Sequence, residues 1–197
     1  MPVNTMTGVK PAGLHPLLAA RRSLRAYAER PVEPEKLRLV LEAGRWAPSF
    51  GNRQPWRFIA VTDRAALERL HRALTPGNAW ARRAPAVVVV AARPDDAMQV
   101  DGKPYYLFDC GLAVQSMLLQ AVALGLLAHP IGGWHEAGVK EALAIPEDVR
   151  VVVLVVLGYQ GSPDVLDEEA RRKDERPPVR RPLEETAYAD AWGHPVP

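Results

Sequence analysis

The sequence predicts an α+β fold in a single domain, and three observations support this. Two uninterrupted apolar runs, Ala86 to Ala92 and Val151 to Leu157, read as strands covered on both faces, because neither alternates with polar residues. Helical stripes lie around them without the regular strand–helix alternation of a doubly wound sheet. The 197 residues, 48% of them hydrophobic, suit one compact domain with a sizeable core. That domain is expected to span residues 1–197, with a flexible N-terminus over 1–13 and an extended tail over 162–197.

Each element has its own signal. Leu14, Leu17 and Leu18 give a short helix that runs into Arg21-Arg22-Ser23-Leu24-Arg25. Glu33-Pro34-Glu35 opens the next helix, with proline at the first helical position and acid in the first turn. Leu37, Val40, Leu41 and Gly44 then share one stripe, and Pro48 stops it. Trp56 to Val61 reads as a strand, and Thr62-Asp63 caps a helix carrying Leu67, Leu70 and Leu74.

Leu107 to Leu127 is apolar almost all round and nearly long enough to span a bilayer. Asp109, Gln115, Ser116 and Gln120 would be costly in lipid, so a buried central helix is expected, with part of its cover supplied by a second subunit. A short strand around Ala128 to Ile131 leads into Gly132-Gly133, and Glu136 to Ala144 is a helix stopped by Pro146. Gly158 closes the last strand. Pro163 to Val179 has little to bury and reads as an extended surface arm, which leaves Leu183 to Trp192 as the ordered part of the tail.

Composition narrows the function. The net charge is +2, from 25 Lys and Arg against 23 Asp and Glu, which gives no general reason to expect nucleic acid as a partner. One cysteine, Cys110, rules out an intrachain disulfide and a multi-cysteine metal site. His71 and His129 lack ligand spacing with any partner, so no metal is expected and both read as packing or surface residues. Met1 to Gly13 holds no apolar core of signal-peptide length, and a soluble, cytoplasmic protein is expected.

Two segments are hard to explain as packing. Three guanidinium groups within Arg21–Arg25 repel one another unless something anionic lies among them, and their forked donors, with the Ser23 hydroxyl, match a phosphate. The plain reading of the same run is a solvated helix end. Ala47-Pro48-Ser49-Phe50-Gly51-Asn52-Arg53-Gln54-Pro55-Trp56 is a loop that ends abruptly in a strand, and its residue types are also those of ordinary turns.

With the Pro130-Ile131-Gly132-Gly133 turn and the closing Arg180-Arg181-Pro182-Leu183-Glu184-Glu185 run, these segments resemble the nitroreductase family of FMN-dependent oxidoreductases, from Arg21 to Trp192. The resemblance implies a central mixed or antiparallel sheet flanked by helices, and a C-terminal arm reaching the partner of a homodimer. It also implies an FMN at the subunit interface and NAD(P)H as reductant, with a small-molecule oxidant such as a nitroaromatic or quinone following in a ping-pong cycle. Arg21, Arg22 and Ser23 would hold the phosphate and ribityl chain, and Arg25 would reach the pyrimidine edge of the ring.

Pro48, Ser49, Phe50 and Asn52 would cover the flavin from the other subunit. Pro130, Ile131, Gly132 and Gly133 would pass one flavin face, with the Gly132 N–H meeting N5. Arg180 returns to the phosphate in relatives; many also carry a lysine two residues earlier, where this chain has Pro178, and the adjacent Arg181 is a candidate replacement. Asn78 corresponds to a polar residue near the ring, one position out of register, and Gln115 is a weaker candidate. Tyr105, Tyr106 and Trp134 are expected in the substrate pocket and Phe108 in the core. Arg53 and Arg82 are candidates for a nicotinamide 2′-phosphate. No side-chain nucleophile is implied, since the flavin supplies the chemistry. Reductive dehalogenation, flavin processing and a flavin-holding role without turnover are alternatives; the first two go with a lid segment, and the span between Ala92 and Tyr105 is short.

Overall fold

The computed structural model describes residues 11–196, so residues 1–10 of the expected flexible N-terminus lie outside it. In chain order the elements are α1 (Pro16–Ala20), α2 (Pro34–Arg45), β1 (Trp56–Val61), α3 (Arg64–His71), β2 (Ala86–Ala92), β3 (Gln99–Val100), β4 (Lys103–Pro104), α4 (Tyr105–Ala123), β5 (Leu127–Ile131), α5 (Glu136–Leu143), β6 (Arg150–Gly158) and α6 (Glu168–Glu175).

Four strands form one sheet in the order β1-β2-β6-β5. All three pairings are antiparallel, with a register shift at Val90/Ala91 between β2 and β6. The α+β expectation holds, and the mixed-or-antiparallel alternative resolves to antiparallel. Every residue of β2 is buried, and the reason is a core on each face. Val87, Val89 and Ala91 join Leu67, Leu70 and Val139 on the side covered by α3 and α5. Val88 and Val90 join Val40, Ala113 and Met117 on the side of α2 and α4. Two-sided cover removes the alternation that a half-exposed strand would show.

Glycine at position 44 permits the α2–α4 crossing: a Cβ there would overlap Met117 Cε and come within 3.0 Å of Phe58 Cζ. By length and composition alone α4 could cross a membrane, with a mean hydropathy of 1.3. Here it packs between α2 and the sheet as a core helix. Its end differs from the sequence expectation, because Gly125 takes φ +73° and turns the chain, so Leu127 belongs to β5 rather than to the helix.

The tail departs further. Pro163 to Val179 is not extended throughout: α6 occupies its middle, capped by Asp167, whose side chain accepts from the Ala170 N–H. It is polar on nearly every side and buries Ala170, while Arg171–Glu175, Arg172–Glu168 and Lys173–Glu169 pair along its surface. Leu183 to Trp192, expected to be the ordered part, holds a short turn at Leu183–Glu185 and a fold-back in which Tyr188 bridges Pro195 and packs on Trp192.

Candidate functional site

The chain after the arginine run is clipped to the chain after β6. Tyr27 bridges Gln160, the Ala28 N–H donates to Tyr159 O at 2.9 Å, and the Gly161 N–H donates to Ala26 O at 2.8 Å. This fixes residues 21–25 over the edge of the sheet, beside β5. There His129 Nδ1 lies 3.0 Å from Leu24 O, as the donor to that carbonyl. Burial, reinforced by the Arg25 and Arg21 charges and opposed by the Leu24 carbonyl and Asp174, pushes the His129 pKa down to about 4. The His129 ring stacks on Trp80 at 4.7 Å, and Arg25 lies over the same indole at 5.8 Å.

The three arginines have different fates. The Arg25 guanidinium pairs with Asp174 Oδ1 at 2.8 Å, and its backbone N–H donates to Asp174 Oδ2 at 2.7 Å. Arg22 donates to the carbonyls of Asp174 and Arg176 at 3.1 and 2.9 Å, closing the C-terminal end of α6. Part of the anion that the run demanded is therefore the protein's own Asp174, and Arg22 and Arg25 both contact the C-terminal end of α6. Arg21 is the exception. It donates to Ser23 Oγ at 3.1 Å and pairs with no carboxylate among the described residues. Burial, and then the neighbouring Arg180 and Arg22 charges, hold its pKa below the usual guanidinium value. The Arg180 charge is felt at Arg21, and among the described residues the Arg180 side chain donates to Val179 O. Arg181 and Pro178 follow the same segment, with Arg181 exposed.

Three residues beyond His129 on β5 lies the glycine turn, about 10 Å along the strand at the usual rise. Pro130 and Ile131 pair with Val155 and Leu154. The Gly133 carbonyl accepts three hydrogen bonds: from the Thr75 N–H, from Thr75 Oγ1 and from Asn78 Nδ2. A Cβ on Gly133 would fall on Asn78 Nδ2 and within 2.5 Å of Thr75 Oγ1. Around Gly132, by contrast, a Cβ would meet nothing within 4 Å. One glycine locks the turn and the next leaves an open face. Asn78 reaches the site as a brace for that turn. Trp134 follows with its Nε1–H donating to Ile131 O and its ring against the α3/α5 core.

The Pro48–Asn52 loop sits elsewhere. Gly51, Asn52 and Gln54 take φ values of +57°, +53° and +49°, a strained path held by Gln54 N–H to Ser49 Oγ and by the Gln54 amide to Asn52. Its anchor is Asp109 on α4, fully buried, whose Oδ1 accepts from the Phe50 N–H at 3.0 Å. Asp109 Oδ2 is buried without a hydrogen-bond partner. Phe50 packs on Tyr105 at 4.8 Å, and Tyr105 on Phe108 at 6.1 Å. Phe108 is 60% exposed, which corrects its expected place in the core, while Tyr106 is half-buried against the α2/α4 core. Among the described residues, no hydrogen bond, ion pair or ring contact joins this loop to the arginines or to the glycine turn. Sequence reasoning missed Asp109, Asp174 and Trp80 as parts of the site; their partners are remote in sequence.

Comparison with known proteins agrees with this architecture. The nitroreductase family profile matches residues 18–159. An Archaeoglobus fulgidus protein, provisionally named NADH dehydrogenase/NAD(P)H nitroreductase, is 36% identical over 149 residues, 73% of this chain and 83% of its own. A crystal structure described as an oxidoreductase containing FMN matches at 30% identity with a TM-score of 0.83, covering 98% of each chain. A provisionally assigned nitroreductase of Desulfovibrio desulfuricans, in complex with FMN, matches at 30% identity and a TM-score of 0.72 over 90% of this chain and 98% of its own. The fold and these likenesses define an oxidoreductase. The chain belongs to the nitroreductase family.

Proposed function

We propose that the protein is an FMN-dependent NAD(P)H oxidoreductase, active as a cytoplasmic homodimer, that reduces nitroaromatic or quinone-like acceptors. The observation that carries this reading is Arg21, a part-buried guanidinium that feels two other cations and pairs with no carboxylate among the described residues. Such a group favours an anion, and the Leu24 carbonyl ties the arginine run to His129 on β5, the strand that ends at the open glycine turn. When bound, FMN would supply the redox chemistry, a ping-pong hydride transfer from NAD(P)H to the acceptor through N5.

The chain's own residues bind, orient and shield. Arg21 and Arg180 would balance the phosphate charge and the Ser23 hydroxyl would donate a hydrogen bond to it, with Arg181 in reserve at the same segment. Gly132 offers its backbone N–H to the ring, and Thr75 and Asn78 keep that N–H in place through Gly133. Arg25, held in place by Asp174, would offer its remaining N–H donors to the pyrimidine edge of the ring, where negative charge develops on reduction.

Pro48, Ser49, Phe50 and Asn52 reach the site of the other subunit, which is consistent with their separation from the arginines within one protomer. The exposed side of α4, including Leu107, Phe108 and Gly111, supplies the apolar surface for that pairing. Tyr105 and Trp134 border the opening used by both substrates. Purified protein should absorb as a flavoprotein, and anaerobic NADH or NADPH should bleach it. Colourless protein that takes up no added FMN would overturn this assignment.

A further inference from the structure

We propose that Asp174 is a positioning residue for the cofactor's phosphate: it docks α6 onto the arginine run and so delivers Arg180 to Arg21. The inference rests on the FMN reading above and deepens it. Asp174 is the only carboxylate paired with the run among the described residues, and it grips one residue twice. Oδ1 takes the Arg25 guanidinium at 2.8 Å and Oδ2 takes the Arg25 backbone N–H at 2.7 Å. The side chains are 11% and 21% exposed, so water screens this pair much less than the surface pairs along α6. From the same residue the carbonyl accepts from Arg22, whose other contact is the Arg176 carbonyl. Four hydrogen bonds thus tie the end of α6 to Arg22 and Arg25.

Little else holds this segment. α6 buries Ala170 and otherwise presents charge to solvent, so hydrophobic burial contributes little to its docking. Only three residues lie between Arg176 and Arg180, whose charge is felt at Arg21. A short chain after a fixed point reaches a small volume, so fixing Arg176 raises the local concentration of Arg180 at the phosphate site. Arg25 and Arg22 then act through α6, while Arg21 and Arg180 meet the anion.

The test uses full-length protein, dialysed free of flavin and titrated with FMN and, separately, with riboflavin, following quenching of flavin fluorescence. Asp174→Asn keeps the shape of the side chain and removes its charge. It should weaken FMN binding about tenfold, the scale of one charge-assisted hydrogen bond, and leave riboflavin binding within about twofold. Trypsin should cleave faster after Arg180 in this variant. Arg180→Ala should weaken FMN by a similar factor, and the double variant should be no worse than Arg180→Ala alone, because both changes remove one contact. Asp174→Glu should restore part of the affinity.

Unchanged or tighter FMN binding in Asp174→Asn would overturn the inference; tighter binding would mean that Asp174 merely cancels an arginine that the phosphate would use. Equal weakening of FMN and riboflavin, or additive losses in the double variant, would overturn it too. These results leave the wild-type protein a flavin binder, whereas wild-type protein that binds neither flavin removes the proposed function itself and this inference with it.

Discussion

Replacing Arg21 by alanine separates a ligand-binding arginine from a structural one by the sign of two effects. Without flavin, the Arg21 side chain makes one hydrogen bond among the described residues, to Ser23 Oγ, worth about 0.5–1 kcal/mol in a part-exposed setting. Against it stand partial burial of the charge and repulsion from Arg180 and Arg22, which its removal relieves. The two nearly cancel, so the stability of the flavin-free protein should change by less than about 1 kcal/mol. With FMN bound, the lost contact is a guanidinium–phosphate bond of about 1.5–3 kcal/mol, or roughly 10- to 150-fold in Kd. Riboflavin, which lacks the phosphate, should bind within about twofold of wild type. Urea denaturation of the flavin-free protein gives the first quantity, and fluorescence titration gives the second. A stability loss above about 2 kcal/mol with FMN affinity intact would refute the reasoning, because it would make Arg21 a fold residue like Arg22 and Arg25.

Three further perturbations follow from the geometry. Asp109→Ala removes the acceptor of the Phe50 N–H, so amide exchange at Phe50 should quicken and turnover fall; Asp109→Asn keeps an acceptor oxygen and should stay nearer wild type. His129 has a folded-state pKa near 4 against an unfolded value near 6.5. The unfolded state therefore binds more protons between those values, and stability should rise by roughly 3 kcal/mol from pH 4 to 6.5, then level off. In His129→Gln that one-proton slope should disappear from denaturation curves measured across the window. Burial, and then Asp109, push the Cys110 thiol up to about 12, so a chromogenic disulfide should label it slowly in the native protein at pH 8 and rapidly after unfolding.

What the sequence revealed, and what it hid, follows from which forces leave a local trace. β2 falls at the expected residues because a β-branched, apolar run after Pro85 has few other uses, and β1 because aromatic and β-branched residues follow Pro55 on either side of Arg57. The end of α4 was misplaced because Leu124 to Leu127 is apolar in either state; Gly125 was the informative residue there. α6 was missed because hydrophobic periodicity is silent in a helix held by i,i+4 ion pairs. Its signal lay in Asp167 as a cap and in Glu168 and Glu169 four residues before Arg172 and Lys173. The segments of the site were legible, but their partners were not. Asp174 meets Arg25 across 149 residues and Asp109 meets Phe50 across 59, and no local pattern encodes such pairings.

The same long-range pairs change how the arginine run should be read. A cluster of like charges demands counter-charge, yet the size of the cluster does not measure the charge of its ligand. The fold neutralises Arg25 with Asp174 and satisfies Arg22 with helix-end carbonyls; Arg21 remains, joined by Arg180. Two unneutralised guanidiniums match a phosphate monoester, which carries about −1.5 to −2 charge at neutral pH and loses one unit around pH 6. Guanidiniums do not titrate in that range. FMN affinity should therefore weaken several-fold from pH 7.5 to pH 5.5, while riboflavin affinity at the same two pH values sets the baseline for any change in the protein. Parallel curves for the two flavins would mean that the phosphate is not held by this pair.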